Sequence, residues 1–551
     1  MIKINPTVIK LRTIAIFITT LILHSFNAYS QADTCKIAYL SELLEDKYYN
    51  LSYNIAKDIL QTCDSLPEKT IYLCAVSYYH SRHYDECIVL CDSCIRTKPY
   101  TSVINDLTRL AGNSYYHMKE YELSKEYYRQ YLEYNKNNGL KDDQNMLIMY
   151  AYTEFNTHNW QQAESIFKTI IETRLNNDNL TIENIHYSTN RDWYGDIIHD
   201  YALSCLLQAK EDMGLELLKI SSKCGNVTAR EQYSILASNS FYVNDIKIKA
   251  KHKSSFEEYL RKYDIQYPDS LEKSYDFWEY IINNNKNIVD LKQRVQEKRI
   301  SKPLQNAFDQ IAKGRADLTS VLSEYTIYKQ GDLETDLSQH LFDGGNYLEE
   351  IRIYRSSIRN AFATPYGQIY ISSSLVQLYD CNPLLLAICA HEATHYLCYH
   401  SLVHIWQYEK RKRNNEIMST IAIGLNAALQ ISASIYAASS GIRYSSSYRN
   451  TMNNNLINLS YMLDYAFEKN AFYFQFKYSR EQELEADLIA YRYCEMMGIG
   501  GYAYILALEL LGDDFGNLKA EKQSDHPTIA YRVAFLKYIY EKERSNNEEL
   551  K

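Results

Sequence analysis

The chain is 551 residues long and 46% of its residues are hydrophobic, which is enough for two or more domains with buried cores. Its formal net charge at pH 7 is −9 and it contains no long basic patch, so its charge argues against nucleic acid as a partner. The composition therefore indicates a folded, multidomain protein that acts on something other than DNA or RNA.

Residues 1–30 have the pattern of a secretory signal peptide. Three basic residues come first: Lys3, Lys10 and Arg12. An apolar run from Thr13 to Leu23 follows, and Ala28 and Ser30 are small residues at the two positions that signal peptidase inspects. Because the run is too short to span a bilayer, we expect cleavage near Ser30 and export to the periplasm or another extracytoplasmic compartment. An uncleaved anchor, with the protein associated with the membrane, is the alternative.

A repeated pattern occupies residues 31–225. The motif Ser77-Tyr78-Tyr79-His80 recurs as Ser114-Tyr115-Tyr116-His117, and Tyr84 is followed at the matching places by Tyr121 and Trp160. The spacing between these recurring residues resembles that of tetratricopeptide repeats. In such repeats, helix pairs stack into a solenoid with a concave surface. The resemblance implies a domain that binds protein partners or substrates. A polar, helical connector is expected over residues 226–274.

In that register, seven small or aromatic residues fall at the packing positions of the second helices. They are Cys87, Cys91, Cys94, Ser124, Tyr128, Ala163 and Phe167. The spacing of the three cysteines alone would also suit a metal site, but their place in the repeat makes them helix-packing residues. The sequence leaves open whether any of the 12 cysteines of the chain form disulfides.

A short strand is predicted at Gln368–Ser372, because these residues are rich in β-branched and aromatic types and follow a turn signal formed by Pro365 and Gly367. An extended peptide can bind to a protein by adding a strand to the edge of a sheet. The strand is therefore either an edge strand that aligns such a peptide or an ordinary core strand, and its residues alone do not separate the two.

Residues 391–395 read His-Glu-Ala-Thr-His, a motif that can hold a catalytic zinc ion if it is helical. Asn382 as N-cap and Pro383 at the first helical position, followed by an almost wholly apolar stretch, predict a buried helix. Residues four apart share a helix face, so His391 and His395 would converge on one point, with Glu392 near enough to take a proton. The alternatives are a chance match and a pair of histidines satisfied in the core.

A second helix is predicted from Ser479, which can form a capping box with Gln482. Glu483 and Asp487 are four residues apart and share a face, so Glu483 could coordinate the metal while Asp487 accepts a hydrogen bond from a ligand's remote nitrogen. Two histidines and one glutamate would leave the fourth position of a zinc ion for water. An ordinary acidic, solvated helix start is the alternative.

Residues 417–442 contain no charged residue and follow the basic run Lys410–Arg413, a pattern typical of a transmembrane helix. A single crossing would place His395 and Glu483, two ligands of one ion, on opposite sides of the membrane. We therefore expect a buried or surface-lying helix, with peripheral membrane contact through 417–442 as the alternative.

Together these motifs resemble those of zinc metallopeptidases that include the HtpX heat-shock protease and the CAAX prenyl endopeptidases. The resemblance covers roughly residues 275–545. Three elements carry it: His391–His395, Ser479–Asp487 and Asn360–Ile371. In the last of these, Tyr366 replaces the first of two glycines that usually follow the proline. The resemblance implies zinc ligation by His391, His395 and Glu483, with Glu392 as catalytic base, and it favours an edge position for the strand Gln368–Ser372.

A later element, Asp525-His526-Pro527 followed by Arg532, also resembles one near the active site of that family. The resemblance gives His526 a catalytic role, either stabilising an oxyanion or occupying the open position of the metal in a resting form. Arg532 would stabilise the oxyanion or pair with a carboxylate, and Asp487 would support a ligand.

The sequence thus predicts a mainly α-helical protein, in which a helical-repeat solenoid precedes a helical zinc metallopeptidase domain with a small β-sheet at residues 275–551. The predicted function is that of an exported endopeptidase with Zn²⁺ as cofactor, acting on protein or peptide substrates in protein quality control. The repeat domain would recruit substrates or partners. The alternative is a chaperone or scaffold in which zinc is structural, but Glu392 argues against it because a structural site needs no base.

Overall fold

A computed structural model gives the structure of most of the chain. It describes residues 35–62, 66–97, 103–178, 180–182, 184–248, 250–263, 268, 271–285, 330–343, 350–354, 359–363, 368–398, 400, 480–512 and 527–549. The expected signal peptide and the uncharged segment 417–442 lie outside these ranges. The chain forms two compact units, residues 1–180 and 181–551.

The first unit is built of helix pairs. Its helices are α1 (residues 35–45), α2 (Tyr49–Thr62), α3 (Glu68–His80), α4 (Tyr84–Thr97), α5 (Ile104–His117), α6 (Tyr121–Asn138), α7 (Gln144–Asn156) and α8 (Trp160–Asp178). In agreement with the predicted repeat, Tyr84, Tyr121 and Trp160 each begin the second helix of a pair. The seven predicted packing residues, the three cysteines among them, are all buried.

The same turn joins the helices of each pair. The residue two positions before the second helix has a positive φ, and none of these residues is glycine. They are Lys47 (61°), Arg82 (64°), Lys119 (64°) and His158 (60°). In each turn, the residue after the one with positive φ donates its N–H to the carbonyl five residues earlier. For example, His83 donates to the carbonyl of Tyr78 at 2.9 Å. These features define a Schellman motif, which ends the first helix and reverses the chain.

The second unit begins with helices from the end of the predicted repeat domain and from the predicted connector. After a 3₁₀ turn at Ile185–Tyr187 come α9 (Arg191–Leu206), α10 (Glu211–Lys223), α11 (Val227–Ile248) and α12 (Ala250–Tyr263). Two buried amides of α11 bind distant backbone carbonyls: Gln232 donates to Leu378 and Asn239 to Glu509, each at 2.8 Å. Because buried amides must be hydrogen-bonded, these contacts attach α11 specifically to the C-terminal part of the chain.

A small sheet follows the helices α13 (Ser274–Asn284) and α14 (Gln330–Phe342). Its strands are β1 (Glu350–Tyr354), β2 (Ala361–Ala363) and β3 (Gln368–Ser372). Within the described residues the order is β1-β3-β2, with β3 parallel to β1 and antiparallel to β2. The predicted strand Gln368–Ser372 is confirmed, but its expected edge position is wrong, because β3 has a partner on each side. Ile369, Tyr370 and Ile371 are all buried, as in a central strand covered on both faces.

In the described residues, five helices follow the sheet. They are α15 (Ser373–Tyr379), α16 (Asn382–Leu397), α17 (Arg480–Met496), α18 (Gly501–Leu511) and α19 (Ile529–Glu549). α16 packs against α17, α18 and β2, and it is buried on nearly all sides, as predicted. The expected cap is wrong, since Cys381 holds the N-cap position and Asn382 is the first helical residue. The Asn382 amide instead donates to Asp336 of α14 at 2.9 Å.

The helix predicted to follow Ser479 begins at Arg480, while Ser479 itself lies outside the described residues. The architecture confirms the predicted mainly helical fold with a small sheet. In the described part of the chain, none of the helices is both long and apolar enough to cross a bilayer.

Candidate metal centre

Helices α16 and α17 bring two imidazoles and one carboxylate to a single point. His391 and His395 are one helical turn apart, and their Nε2 atoms are 3.0 Å from each other. Glu483 faces both rings, with Oε2 at 3.6 Å from His391 Nε2 and Oε1 at 3.8 Å from His395 Nε2. One ligand atom from each of the three residues fits within 4.8 Å, so the group could hold a metal ion.

The chemistry of this group fits a divalent cation. Glu483 Oε2 is buried and, among the described residues, accepts no hydrogen bond of good geometry, although Arg532 Nη1 lies 3.1 Å away. An ionised carboxylate in that position needs a further positive charge, and two neutral imidazole nitrogens beside it supply the remaining donors. Nitrogen and oxygen donors from three residues, with one position left open, are the donor set of a catalytic zinc site.

Glu392 lies next to His391 and points its carboxylate toward the sheet. Its Oε2 accepts a hydrogen bond of 3.0 Å from the backbone N–H of Ala363 in β2. Burial, and after it the nearby carboxylate of Glu483, raises the pKa of Glu392 to about 8. A cation held by the three ligands would oppose this shift and favour the ionised form. Burial thus favours the protonated form of Glu392, and a bound cation would favour the ionised form that can accept a proton.

The remote nitrogen of His391 contacts a second layer of polar groups. Its Nδ1 lies 3.2 Å from Asp487 Oδ1 and 2.8 Å from the hydroxyl of Tyr504, on α18. The Tyr504 hydroxyl donates to Asp487 Oδ1 at 2.6 Å, and Arg532 on α19 donates to the same carboxylate from Nη2 at 2.6 Å and from Nε at 2.9 Å. The His391 ring is therefore fixed by three elements of the fold.

Asp487 remains ionised in this setting. Its burial opposes ionisation, but the charge of Arg532 and the hydrogen bonds from His391 and Arg532 outweigh that effect and lower the pKa of Asp487 to about 2. Arg532 also lies beside Glu483, so a single guanidinium contacts two carboxylates of the cluster.

The remote nitrogen of His395 contacts a different group. His395 Nδ1 lies 3.0 Å from Nδ1 of His400, and His400 Nε2 lies 3.4 Å from Glu485 Oε2. Asn285, which ends α13, donates from Nδ2 to Glu485 Oε1 at 2.9 Å. All four side chains are buried.

The cluster thus contains residues that the sequence analysis proposed and others that it missed. The structure brings together His391, Glu392, His395, Glu483, Asp487 and Arg532, whereas His526 lies outside the described residues. Tyr504, His400, Asn285 and Glu485 were not among the predicted site residues. His400 follows the end of α16, so helical periodicity could not place it, and Tyr504 belongs to an apolar helix without a recognisable motif.

Comparison with known proteins agrees with this geometry. Residues 346–540 match Peptidase family M48, and all the cluster residues except Asn285 lie within the matched segment. The match supports metal-dependent peptidase activity, which is a hydrolase reaction. None of the curated proteins matches the chain.

Proposed function

We propose that this protein is an exported zinc-dependent endopeptidase that hydrolyses peptide bonds in protein substrates. One observation carries the proposal: the Nε2 atoms of His391 and His395 converge with the carboxylate of Glu483, next to Glu392, inside a segment that matches a peptidase family. A site that only stabilised the fold would not need an ionisable group such as Glu392 beside the ligands.

The three ligands would hold zinc through His391 Nε2, His395 Nε2 and the Glu483 carboxylate. When bound, a zinc ion supplies a Lewis acid that polarises a carbonyl and makes water more acidic. Glu392 accepts the proton of the attacking water and then delivers it to the leaving amine. The N–H of Ala363 holds the Glu392 carboxylate in place for both transfers.

The edge of the sheet offers a place for the substrate backbone. β2 pairs with β3 on one side, and no described strand pairs with its other side. The N–H of Ala363 points from that second side to Glu392, so this side of β2 lies beside the proposed base. We propose that an extended peptide adds to β2, because backbone groups at an edge bind any sequence while side-chain pockets provide selectivity.

The roles of Arg532 and His526 belong to the same proposal. The contacts of Arg532 with Asp487 and Glu483 support a function in fixing those carboxylates. The proposed role of His526, in stabilising an oxyanion or occupying the open metal position, rests on the resemblance of its motif alone.

The proposal extends to the rest of the chain. It includes removal of residues 1–30 as a signal peptide and recruitment of proteins by tetratricopeptide-like repeats. It also includes a role in protein quality control, as in the HtpX-type proteases that the motifs resemble. Recruitment is supported by the helix pairs of the first unit, which is compact by itself and contributes none of the three ligands. Membrane contact through residues 417–442 remains a prediction.

Zinc content and proteolysis test the central proposal. The purified protein should contain one zinc ion per chain and degrade casein, and a chelator should abolish degradation until zinc is restored. Glu392→Gln should keep the metal and lose degradation, whereas His391→Ala and Glu483→Ala should lose both. Glu481→Gln, the same substitution at an exposed residue of α17, serves as the control and should behave like the wild type. Full degradation by Glu392→Gln, or zinc retained in His391→Ala, would contradict the proposal.

A further inference from the structure

Both ligand histidines direct Nε2 toward the metal position and Nδ1 toward other side chains, and Arg532 Nη2 also lies 3.2 Å from His391 Nε2. In His395, Nε2 faces His391 Nε2 at 3.0 Å and Glu483 Oε1 at 3.8 Å, while Nδ1 lies 3.0 Å from His400. Both histidines are buried from solvent, since His395 is 1% exposed and His400 is 3% exposed. A buried imidazole nitrogen of this kind must be matched to its partner as donor or acceptor.

The hydrogen bonds allow one arrangement of protons that is compatible with ligation. A neutral His395 that binds metal through Nε2 carries its proton on Nδ1, and that proton is donated to His400 Nδ1. His400 then carries its own proton on Nε2, which faces the acceptor Glu485 Oε2 at 3.4 Å. The opposite direction, with His400 Nδ1 donating, would place the proton of a neutral His395 on Nε2 and block ligation.

The far end of this chain of contacts is also fixed. Asn285 donates to Glu485 Oε1 at 2.9 Å, while Glu485 Oε2 faces His400 Nε2 at 3.4 Å. Glu485 is two residues after Glu483 on α17, and residues two apart on a helix point to different sides. His400 lies between Glu485 and His395 and contacts both of them.

We infer that His400 and Glu485 are positioning residues that hold the ligand His395 in its metal-binding tautomer and ring orientation. This inference rests on the proposed function. His391 is held by the Asp487 carboxylate directly, and His395 by the Glu485 carboxylate through one imidazole. Both carboxylates belong to α17, the helix that also supplies Glu483, so one helix carries the third ligand and supports the other two. Removal of a residue that supports a ligand histidine typically lowers metal affinity roughly 10- to 100-fold.

The test measures the zinc dissociation constant of the full chain by competition with a chelator. His400→Leu replaces the imidazole with an apolar side chain and removes the hydrogen bond to His395 and the contact with Glu485, so it should weaken zinc binding roughly 10- to 100-fold. His400→Asn places an acceptor oxygen near the position of Nδ1 and should recover part of the affinity. Glu485→Gln keeps the shape of the side chain and removes its charge, and it should weaken binding roughly tenfold. His340→Leu, at an exposed histidine of α14, is the matched control and should not change the affinity.

Two further readouts separate positioning from a structural role. A residue that only supports the fold would lower the unfolding temperature of the metal-free protein and leave the dissociation constant of the folded fraction unchanged. A positioning residue should also shift the visible absorption of the Co²⁺-substituted protein, because that spectrum depends on the ligand geometry. Wild-type affinity in both Glu485→Gln and folded His400→Leu would overturn the inference, and Glu485→Gln decides alone if His400→Leu does not fold. A wild-type protein that binds no zinc would instead contradict the proposed function itself.

Discussion

Gln232 of α11 donates a hydrogen bond of 2.8 Å to the backbone carbonyl of Leu378 in α15, the helix just before the one that carries the two ligand histidines. The carbonyl oxygen of the same side chain lies 2.9 Å from His199 Nε2 of α9. One buried amide therefore joins three helices, two of which belong to a region without any residue of the metal centre. The residues before α13 are part of the structure that supports the site.

We predict that a protein beginning at residue 181 folds and that one beginning near residue 275 does not. The longer form keeps Gln232, the packing of Phe256 against Tyr531 and Phe535, and the ion pair of the buried Lys537 with Glu211. The shorter form leaves Lys537 with one carboxylate and exposes the apolar surface of α19. Circular dichroism during heating should show a cooperative transition for the longer form only. A cooperative, zinc-binding protein beginning at residue 275 would contradict this prediction.

A second prediction concerns Tyr504, whose hydroxyl contacts Asp487 and His391. Tyr504→Phe removes the hydroxyl and leaves the buried carboxylate with fewer donors, so it should lower the free energy of unfolding by about 1–3 kcal/mol and weaken zinc binding. Tyr379→Phe is a matched control, because this buried hydroxyl also has a hydrogen bond, to the carbonyl of Ala507, but touches no ligand. Denaturant unfolding should show similar losses for the two variants, and chelator competition should show a change in Tyr504→Phe alone. Equal zinc affinities would remove Tyr504 from the metal centre.

The sequence predicted the local features of this protein more fully than its long-range contacts. The bounds of β3 and the buried packing positions of the repeats, such as Cys87, Tyr128 and Phe167, follow from residue type and spacing. The place of β3 in the sheet depends on pairing with a strand that ends 14 residues earlier, which residue type does not reveal.

In the candidate site, too, the local features were predictable and the long-range contacts were not. The spacing of His391, His395, Glu483 and Asp487 places them on two helix faces, so pairs of neighbours were predictable from each helix alone. The contacts of Tyr504, His400 and Asn285 join separate elements and have no signal in spacing. The N-cap of α16 was misassigned for a related reason, since the Asn382 side chain binds Asp336, 46 residues away.

A third prediction follows from the hydrogen bond between Ala363 and Glu392. Ala363→Pro removes the N–H that holds the carboxylate, and proline is tolerated on the outer side of an edge strand. We expect kcat for a short peptide to fall on the order of tenfold while the zinc content stays unchanged, because the base is less well oriented. Ala363→Ser keeps the N–H and serves as the control. If Ala363→Pro and Ala363→Ser gave the same kcat, this hydrogen bond would have no part in catalysis.

The last prediction separates recruitment from catalysis. The first unit contributes none of the three metal ligands, and its helix pairs form a compact body of their own. A protein beginning at residue 181 should therefore cleave a short unstructured peptide with the kcat and KM of the full chain, because the groups that act on the peptide bond are all retained. It should degrade a natural protein substrate more slowly, since binding by the repeats raises the concentration of substrate near the site. The repeat unit added as a separate chain should not restore the rate, because only a covalent link supplies the local concentration. Equal rates on the protein substrate with and without the first unit would refute recruitment, and loss of peptide cleavage in a folded, zinc-loaded truncation would show that the repeats take part in the active site itself.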